Sequence, residues 1–297
     1  MITGFSKTSL YLILVIVFAV WVMDGLVDDW GRLSGSGENL IIFFQESLWP
    51  PNWSVIEPQA YPVCTAYPIF DFTCSTAWIG MVETIKIAFV STVLGTIVSL
   101  PIGILAARNL NSKSASYIAR FILAAARSLP SIIWAIFFVI LVGFGPLSGV
   151  LAMTIYTVGY LGKLQYESIE GMSSIPLEAA NSMGLSKLET AVGVVIPEQA
   201  NHLISQAIFM FEFNVRHGTV IGIVGAGGIG YYINLYLKFL QYERVAAYLL
   251  IIFFVVMLID LVSIYLRSFF TDESENTKPT WAGVFLPQNN QKDTPSE

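Results

Sequence analysis

Charge is scarce in this 297-residue chain: Asp, Glu, Lys and Arg make up 12% of it, against roughly 25% in soluble domains. With 55% hydrophobic residues, that scarcity excludes a water-soluble globule and places the chain in a membrane. Histidine and cysteine are nearly absent too. The only histidines, His202 and His217, and the only cysteines, Cys64 and Cys74, supply no metal-ligand cluster, so no metal is expected. A net charge of −6 without a basic stripe argues against nucleic acid as a partner. A phosphate-binding G-x-x-x-x-G-K-[ST] loop is missing, so this chain is not expected to hydrolyse ATP. Neither H-E-x-x-H, nor a carboxylate cluster, nor a Ser/His pair suggests a membrane-embedded enzyme.

What is abundant is long apolar sequence. A membrane span needs about 20 mostly apolar residues, and six candidates occur, at 10–27, 79–107, 117–142, 147–162, 202–224 and 245–266. Between Ser128 and Gly162 there is no charge at all, and Gly143-Phe144-Gly145-Pro146 divides that stretch in two. Pro101 and Pro130 are expected to kink their helices. Lys and Arg placement sets orientation. With the N-terminus inside, cytoplasmic segments hold Lys7, Arg108, Lys113, Arg120, Lys163, Lys187, Arg267, Lys278 and Lys292. External segments hold Arg32, Lys238 and Arg244. Both termini are therefore expected in the cytoplasm. Residues 1–27 read as a short stub and a retained first span, since no clear cleavage site follows it. Residues 28–78 form one external loop, 79–267 the transmembrane core, and the polar tail 268–297 reads as disordered.

In the external loop, 38–49 carries apolar residues beside two acids, and reads equally as an interfacial helix or a short helix packed on the bundle. Cys64 and Cys74 both lie in this loop. Their external position permits a disulfide, which would contribute about 3 kcal/mol. Their spacing favours a bridge over two free thiols.

The most informative polar stretch, 163–197, lies between the fourth and fifth spans. Pro176 suits the first turn of a short helix, and Gly184 the left-handed residue that closes it. Ser186 and Glu189 have capping-box spacing for a second helix, which Pro197 is expected to limit. Here Glu178-Ala179-Ala180, Gly184 and Val194-Val195-Ile196-Pro197 together resemble the coupling loop of ABC importer permeases, E-A-A-x3-G-x9-I-x-L-P. Val194 and Ile196 replace the usual Ile and Leu. The resemblance implies that Glu178, Ala179, Ala180, Gly184 and Pro197 dock a separate ATPase.

Further stretches resemble the phosphonate branch of that family. They are Trp49-Pro50-Pro51-Asn52-Trp53-Ser54, Leu100-Pro101-Ile102-Gly103, Arg127-Ser128-Leu129-Pro130, Gly159-Tyr160-Leu161-Gly162-Lys163-Leu164, and Phe211-Glu212-Phe213-Asn214-Val215-Arg216 running into Gly222-Ile223-Val224-Gly225. The likeness covers about residues 43–267. The connection between Ser54 and Glu83, which holds both cysteines, is longer than the family's. The resemblance implies an all-α membrane protein of six transmembrane helices with the MetI-like, type I permease fold, working as a twofold dimer in a bacterial inner membrane. It further implies an importer for phosphonate, phosphite or a related phosphorus oxyanion. Its partners would be a second copy, a cytoplasmic ABC ATPase dimer that binds ATP and Mg, and an external substrate-binding protein. An ABC permease for another small anion is the alternative. An ion-coupled secondary transporter would show inverted repeats with matched intramembrane carboxylates, whereas Glu83, Glu212 and Asp260 are unmatched.

Gly225-Ala226-Gly227-Gly228-Ile229-Gly230 matches the dinucleotide fingerprint. That fingerprint needs a preceding strand, whereas Gly225, Gly227, Gly228 and Gly230 close an apolar span on the external side. A broken or tightly packed helix end is the expectation, marking pathway or dimer contact. Arg216 lies deep in a span, one turn from Glu212, and a buried charge faces the bundle, a partner or a cavity. Two readings stand: a self-neutralising structural pair, or a guanidinium offered to a passing oxyanion. Asn214 and Arg127 are further candidates for the pathway. Snorkelling accounts for Arg127 equally well.

Overall fold

The structure, a computed structural model, describes residues 7–27, 29–33, 35–58 and 70–270. The chain divides into two compact units, residues 1–50 and 51–297. In the first, α1 (Lys7–Leu26) is an unbroken helix of 20 residues without an apolar stripe of its own. A helix apolar all round belongs in lipid or against other helices. Asp24 Oδ1 accepts from Trp30 Nε1 at 2.9 Å. After a 3-10 turn, Trp30–Leu33, come α2 (Ser36–Phe43) and a π turn, Phe44–Leu48, so the 38–49 segment is helical.

The second unit contains α3 (Thr76–Ala106), α4 (Lys113–Ser128), α5 (Ser131–Val142), α6 (Pro146–Glu170), α7 (Ser174–Ser182), α8 (Lys187–Thr190), α9 (Ile196–Ile221), α10 (Ile229–Lys238) and α11 (Tyr242–Ser268). No strand occurs among the described residues. Five helical stretches are long and apolar enough to cross a membrane: Ser9–Leu26, Thr76–Ala106, Pro146–Glu170, Lys187–Val224 and Tyr242–Ser268. The pair α4 and α5 makes a sixth if counted as one span, but it bends by 83° at its break. The span expected over 117–142, kinked at Pro130, is thus two helices that meet there. Proline disfavours helical backbone at the residue before it and donates no N–H. Leu129 and Pro130 both adopt extended ψ, 138° and 148°. Pro101, by contrast, sits inside an α3 that remains one helix of 31 residues.

The long helix α3 is the spine of this unit, packing on α4, α6, α9 and α10. Its buried face includes Gly80, Thr84, Ala88, Ser91, Gly95, Ser99 and Gly103, three or four residues apart and so on one side of the helix, with Thr92 beside them. In lipid, helices associate by close packing and interhelical hydrogen bonds, which small residues permit. A Cβ on Gly95 would lie 2.3 Å from Thr157 Cγ2, and one on Gly80 would lie 2.9 Å from Ile229 Cα. Hydrogen bonds tighten the same seam. Asn214, with no exposed surface, donates from Nδ2 to Thr92 Oγ1 and Thr157 Oγ1, both at 2.9 Å, joining α9 to α3 and α6.

Gly95→Leu tests how closely α3 and α6 must approach. With no room for a side chain, the variant should lose about 1–3 kcal/mol or more, seen as a lower thermal midpoint in detergent than wild type. An unchanged midpoint would contradict the packing.

Candidate functional site

The polar loop after α6 is held by its own backbone chemistry. Gly184 has φ of 73° and closes α7: Gly184 N–H donates to Asn181 O at 3.0 Å, and Leu185 N–H to Ala180 O at 3.2 Å. This is the paired-bond stop of a helix with glycine in the left-handed position. Next, Ser186 and Glu189 form a reciprocal capping box, Ser186 N–H to Glu189 Oε2 at 2.8 Å and Glu189 N–H to Ser186 Oγ at 3.4 Å. The second helix does not stop at Pro197. It passes from α8 through a π turn, Ala191–Val195, into α9, so that Lys187–Val224 is one helical run. Ile196 N–H bonds back five residues to Ala191 O. That wider turn lets Pro197, without an N–H, take the first turn of α9 rather than break it.

Glu178, Ala179, Gly184 and Pro197 are exposed, whereas Ala180 is fully buried. Around them Ile175, Met183, Leu188 and Val192 are 73, 67, 74 and 58% exposed, an apolar surface on a polar loop. Beneath it, Leu177 and Val195 join a core with Ala106, Leu123, Tyr166 and Ile169. Glu170, at the end of α6, accepts from Arg120 Nη2 and from Arg108 N–H, and Arg120 lies 4.3 Å from the centre of the Tyr166 ring. The loop thus stands on a fixed base.

At the far end of α9 the expected helix break is present. A 3-10 turn, Gly222–Val224, precedes Gly225, Gly227 and Gly228, with φ of 88, 82 and 79°, backbone that side-chain-bearing residues rarely adopt. Gly230 has an ordinary helical φ but packs so that a Cβ would lie 1.9 Å from Thr219 O. The segment is preceded by a helix, not the strand of a dinucleotide site. It is pinned from two sides: Ile229 N–H donates to Thr84 Oγ1, and Gly145 N–H to Gly225 O, both at 2.9 Å.

Arg216 Nη2 donates to Glu212 Oε1 at 2.7 Å and to Asp260 Oδ1 at 2.6 Å, while Arg267 Nη2 donates to Glu212 Oε2 at 3.1 Å. Glu212 and Arg216 were legible as one helical turn, but Asp260 and Arg267 join them only because α11 packs along α9. Asn214 stands apart in the α3–α6–α9 seam. Arg127, in the last turn of α4, crosses α6 where a Cβ on Gly159 would meet its backbone at 2.7 Å, and its buried Nη1 has no hydrogen-bond partner among the described residues. His217 lies 4.1 Å from the Phe213 ring centre, with Nδ1 3.1 Å from Ser131 Oγ. The sequence did not single out Gln165, which is buried between α3 and α6 with neither amide atom paired among the described residues. Cys74 is buried at the end of a 3-10 turn, Asp71–Cys74, and no described cysteine is free. Cys64 and the tail beyond residue 270 lie outside the described residues.

The family described as the binding-protein-dependent transport system inner membrane component matches residues 99–271. The chain belongs to that family. It is a multi-pass permease of a binding-protein-dependent ABC importer. The permease is 38% identical over 258 residues to a phosphite transport system permease protein, PtxC, of Stutzerimonas stutzeri, covering 86% of each chain. It is 35% identical over 202 residues to a phosphate-import permease protein, PhnE, of Mycolicibacterium smegmatis, covering 68% of this chain and 38% of that one. Its fold is similar to an inward-facing structure of the MetNI methionine ABC transporter, with a TM-score of 0.58 at 22% identity over 65% of this chain and 97% of that one. The MetI-like architecture is therefore present.

Proposed function

We propose that this permease imports phosphite, phosphonate or a related phosphorus oxyanion, using ATP hydrolysed by a separate subunit. The observation that carries the reading is its similarity, along 86% of its length, to a protein named as a phosphite permease. Inorganic phosphate is the second reading, favoured by the relative named for phosphate import. Reconstituted with its own binding protein and ATPase, the permease should take up phosphite or an alkylphosphonate in preference to phosphate and sulfate. Preference for phosphate would favour the second reading, and uptake of none of the three phosphorus oxyanions would sink both.

On this reading two copies surround one pathway, since closed twofold assembly is the commonest symmetry, and both termini face the cytoplasm. An ATPase dimer carrying ATP and Mg sits beneath, and the binding protein delivers ligand from outside. The chain itself catalyses nothing. Glu178, Ala179, Gly184 and Pro197 belong to the ATPase-docking surface, with the buried Ala180 packing beneath it, and the exposed Ile175, Met183, Leu188 and Val192 offer apolar area to a partner. Coupling requires the ATP-bound ATPase to favour one permease conformation over the other. The continuous helix from Lys187 to Val224 would carry that bias from the loop to the glycine break.

Glu178→Lys and Gly184→Val should each leave the permease in the membrane yet abolish uptake and weaken ATPase co-purification. Valine is strained at the positive φ of Gly184. Normal ATP-driven uptake in both variants would remove the docking assignment.

Cys64 and Cys74 are proposed to be bridged in the mature protein, on the side of the membrane where thiols oxidise. Non-reducing mass mapping should find one linked peptide pair. Full alkylation of both thiols without reductant would exclude it.

A further inference from the structure

The four charges between α9 and α11 are not equivalent. Glu212 is nearly buried, its side chain 9% exposed, and two arginines hold it, Arg216 through Oε1 and Arg267 through Oε2. Asp260 is 32% exposed and is held by Arg216 alone among the described residues. If Arg216 let both acids go, Glu212 would still have a cation, whereas Asp260 would not. The two acids therefore differ in how readily Arg216 can exchange them.

Arg216 itself is not used up. Among the described residues both of its side-chain bonds leave from Nη2, while a guanidinium carries five N–H donors in a planar fork. Its side chain is 40% exposed and edges an open, mostly apolar groove of about 360 Å³ together with Asp260, Thr219, Ile252, Phe253, Val256 and Met257. That volume exceeds what a tetrahedral oxyanion needs. At 1.5 Å per residue, Asp260 lies about 12 Å along α11 from its end at Ser268, well inside the span. An ion pair so placed is costly against lipid, and such charges face protein or a water-filled path.

We propose that Asp260 is a displaceable counter-ion: a phosphorus oxyanion crossing the membrane replaces it on Arg216, while Glu212 stays bound through Arg267. This rests on the oxyanion-import reading above. Arg216 would contact the ligand, and Asp260 would hold the guanidinium in place between passages, closing the site to weaker anions. The bidentate geometry of arginine suits phosphorus oxygens better than a point charge does.

The test uses the full permease with its ATPase and binding protein in proteoliposomes, and phosphite as the probe. The neutral double variant Arg216→Gln/Asp260→Asn removes the pair and leaves Glu212 with Arg267, so it should assemble with the ATPase as wild type does. Its phosphite uptake should fall about tenfold or more. Uptake near wild type would make the pair purely structural and overturn the proposal. Asp260→Asn alone keeps Arg216 with Glu212, and should lower the ratio of phosphite to sulfate uptake by admitting sulfate that wild type rejects. Unchanged sulfate exclusion would also count against it. Should the double variant fail to assemble, Arg216→Lys decides in its place: uptake reduced in assembled protein supports the proposal, and unreduced uptake overturns it. A phospholipid head group presents the same phosphate oxygens. If phosphite-stimulated ATP hydrolysis in lipid-free maltoside micelles is the same in double variant and wild type, Arg216 serves lipid and the proposal fails. Wild-type uptake separates the two levels: a wild type that imports no phosphorus oxyanion refutes the import reading, while an active wild type beside an active double variant refutes only the exchange.

Discussion

Two helices surrounded by hydrocarbon gain nothing by hiding leucine from water, so they must touch closely enough for dispersion and polar bonds to hold them. The seam of α3 meets that requirement with glycine, alanine, serine and threonine at every buried turn. Other features depend on it. Thr84 reaches the N–H of Ile229 because Gly80 and Gly218 let α10 and α9 come near. Asn214 reaches Thr92 and Thr157 together because Gly95 brings α3 against α6. With α9 located in this way, its opposite flank meets α11 and the four charges pair.

The same constraint gives α9 its mechanical character. At its N-terminal end a capped loop stands on the core that contains Leu123, Tyr166 and Val195. At its other end three glycines with positive φ release the chain into α10. Between these ends lies uninterrupted helix. Displacement applied at one end can therefore reach the other without bending a soft segment, and the first place able to yield is the glycine turn.

Much of this was readable from the residues alone. Gaps in charge located α1, α3, α6 and α11, and the loop's glycine stop and capping box followed from side-chain chemistry at Gly184, Ser186 and Glu189. The failures share a cause. An apolar window cannot distinguish one helix from two halves at a right angle, so residues 117–142 looked like a single crossing despite Leu129-Pro130. Pro197 carried the right warning about a missing N–H but not the remedy, a wider turn that needs no interruption. The pairing of Asp260 with Arg216 could not be read at all, because the two stand 44 positions apart and only the packing of α9 on α11 brings them together. The small-residue seam of α3 was written in plain sequence, at spacings of three and four. It was invisible to a reading that sought charge and motif.

The π turn at Ala191–Val195 has a geometric corollary. One extra residue in a helical turn advances everything after it by one position, about 100° around the axis. That offset sets how the capped loop is turned relative to α9, whose own rotation is held where Asn214 meets Thr92 and Thr157. A homologue lacking the extra residue would present its loop at a different azimuth although every letter from Ile196 onward were the same. The turn thus acts as the zero mark of a dial: it sets the rotational phase between the loop and α9.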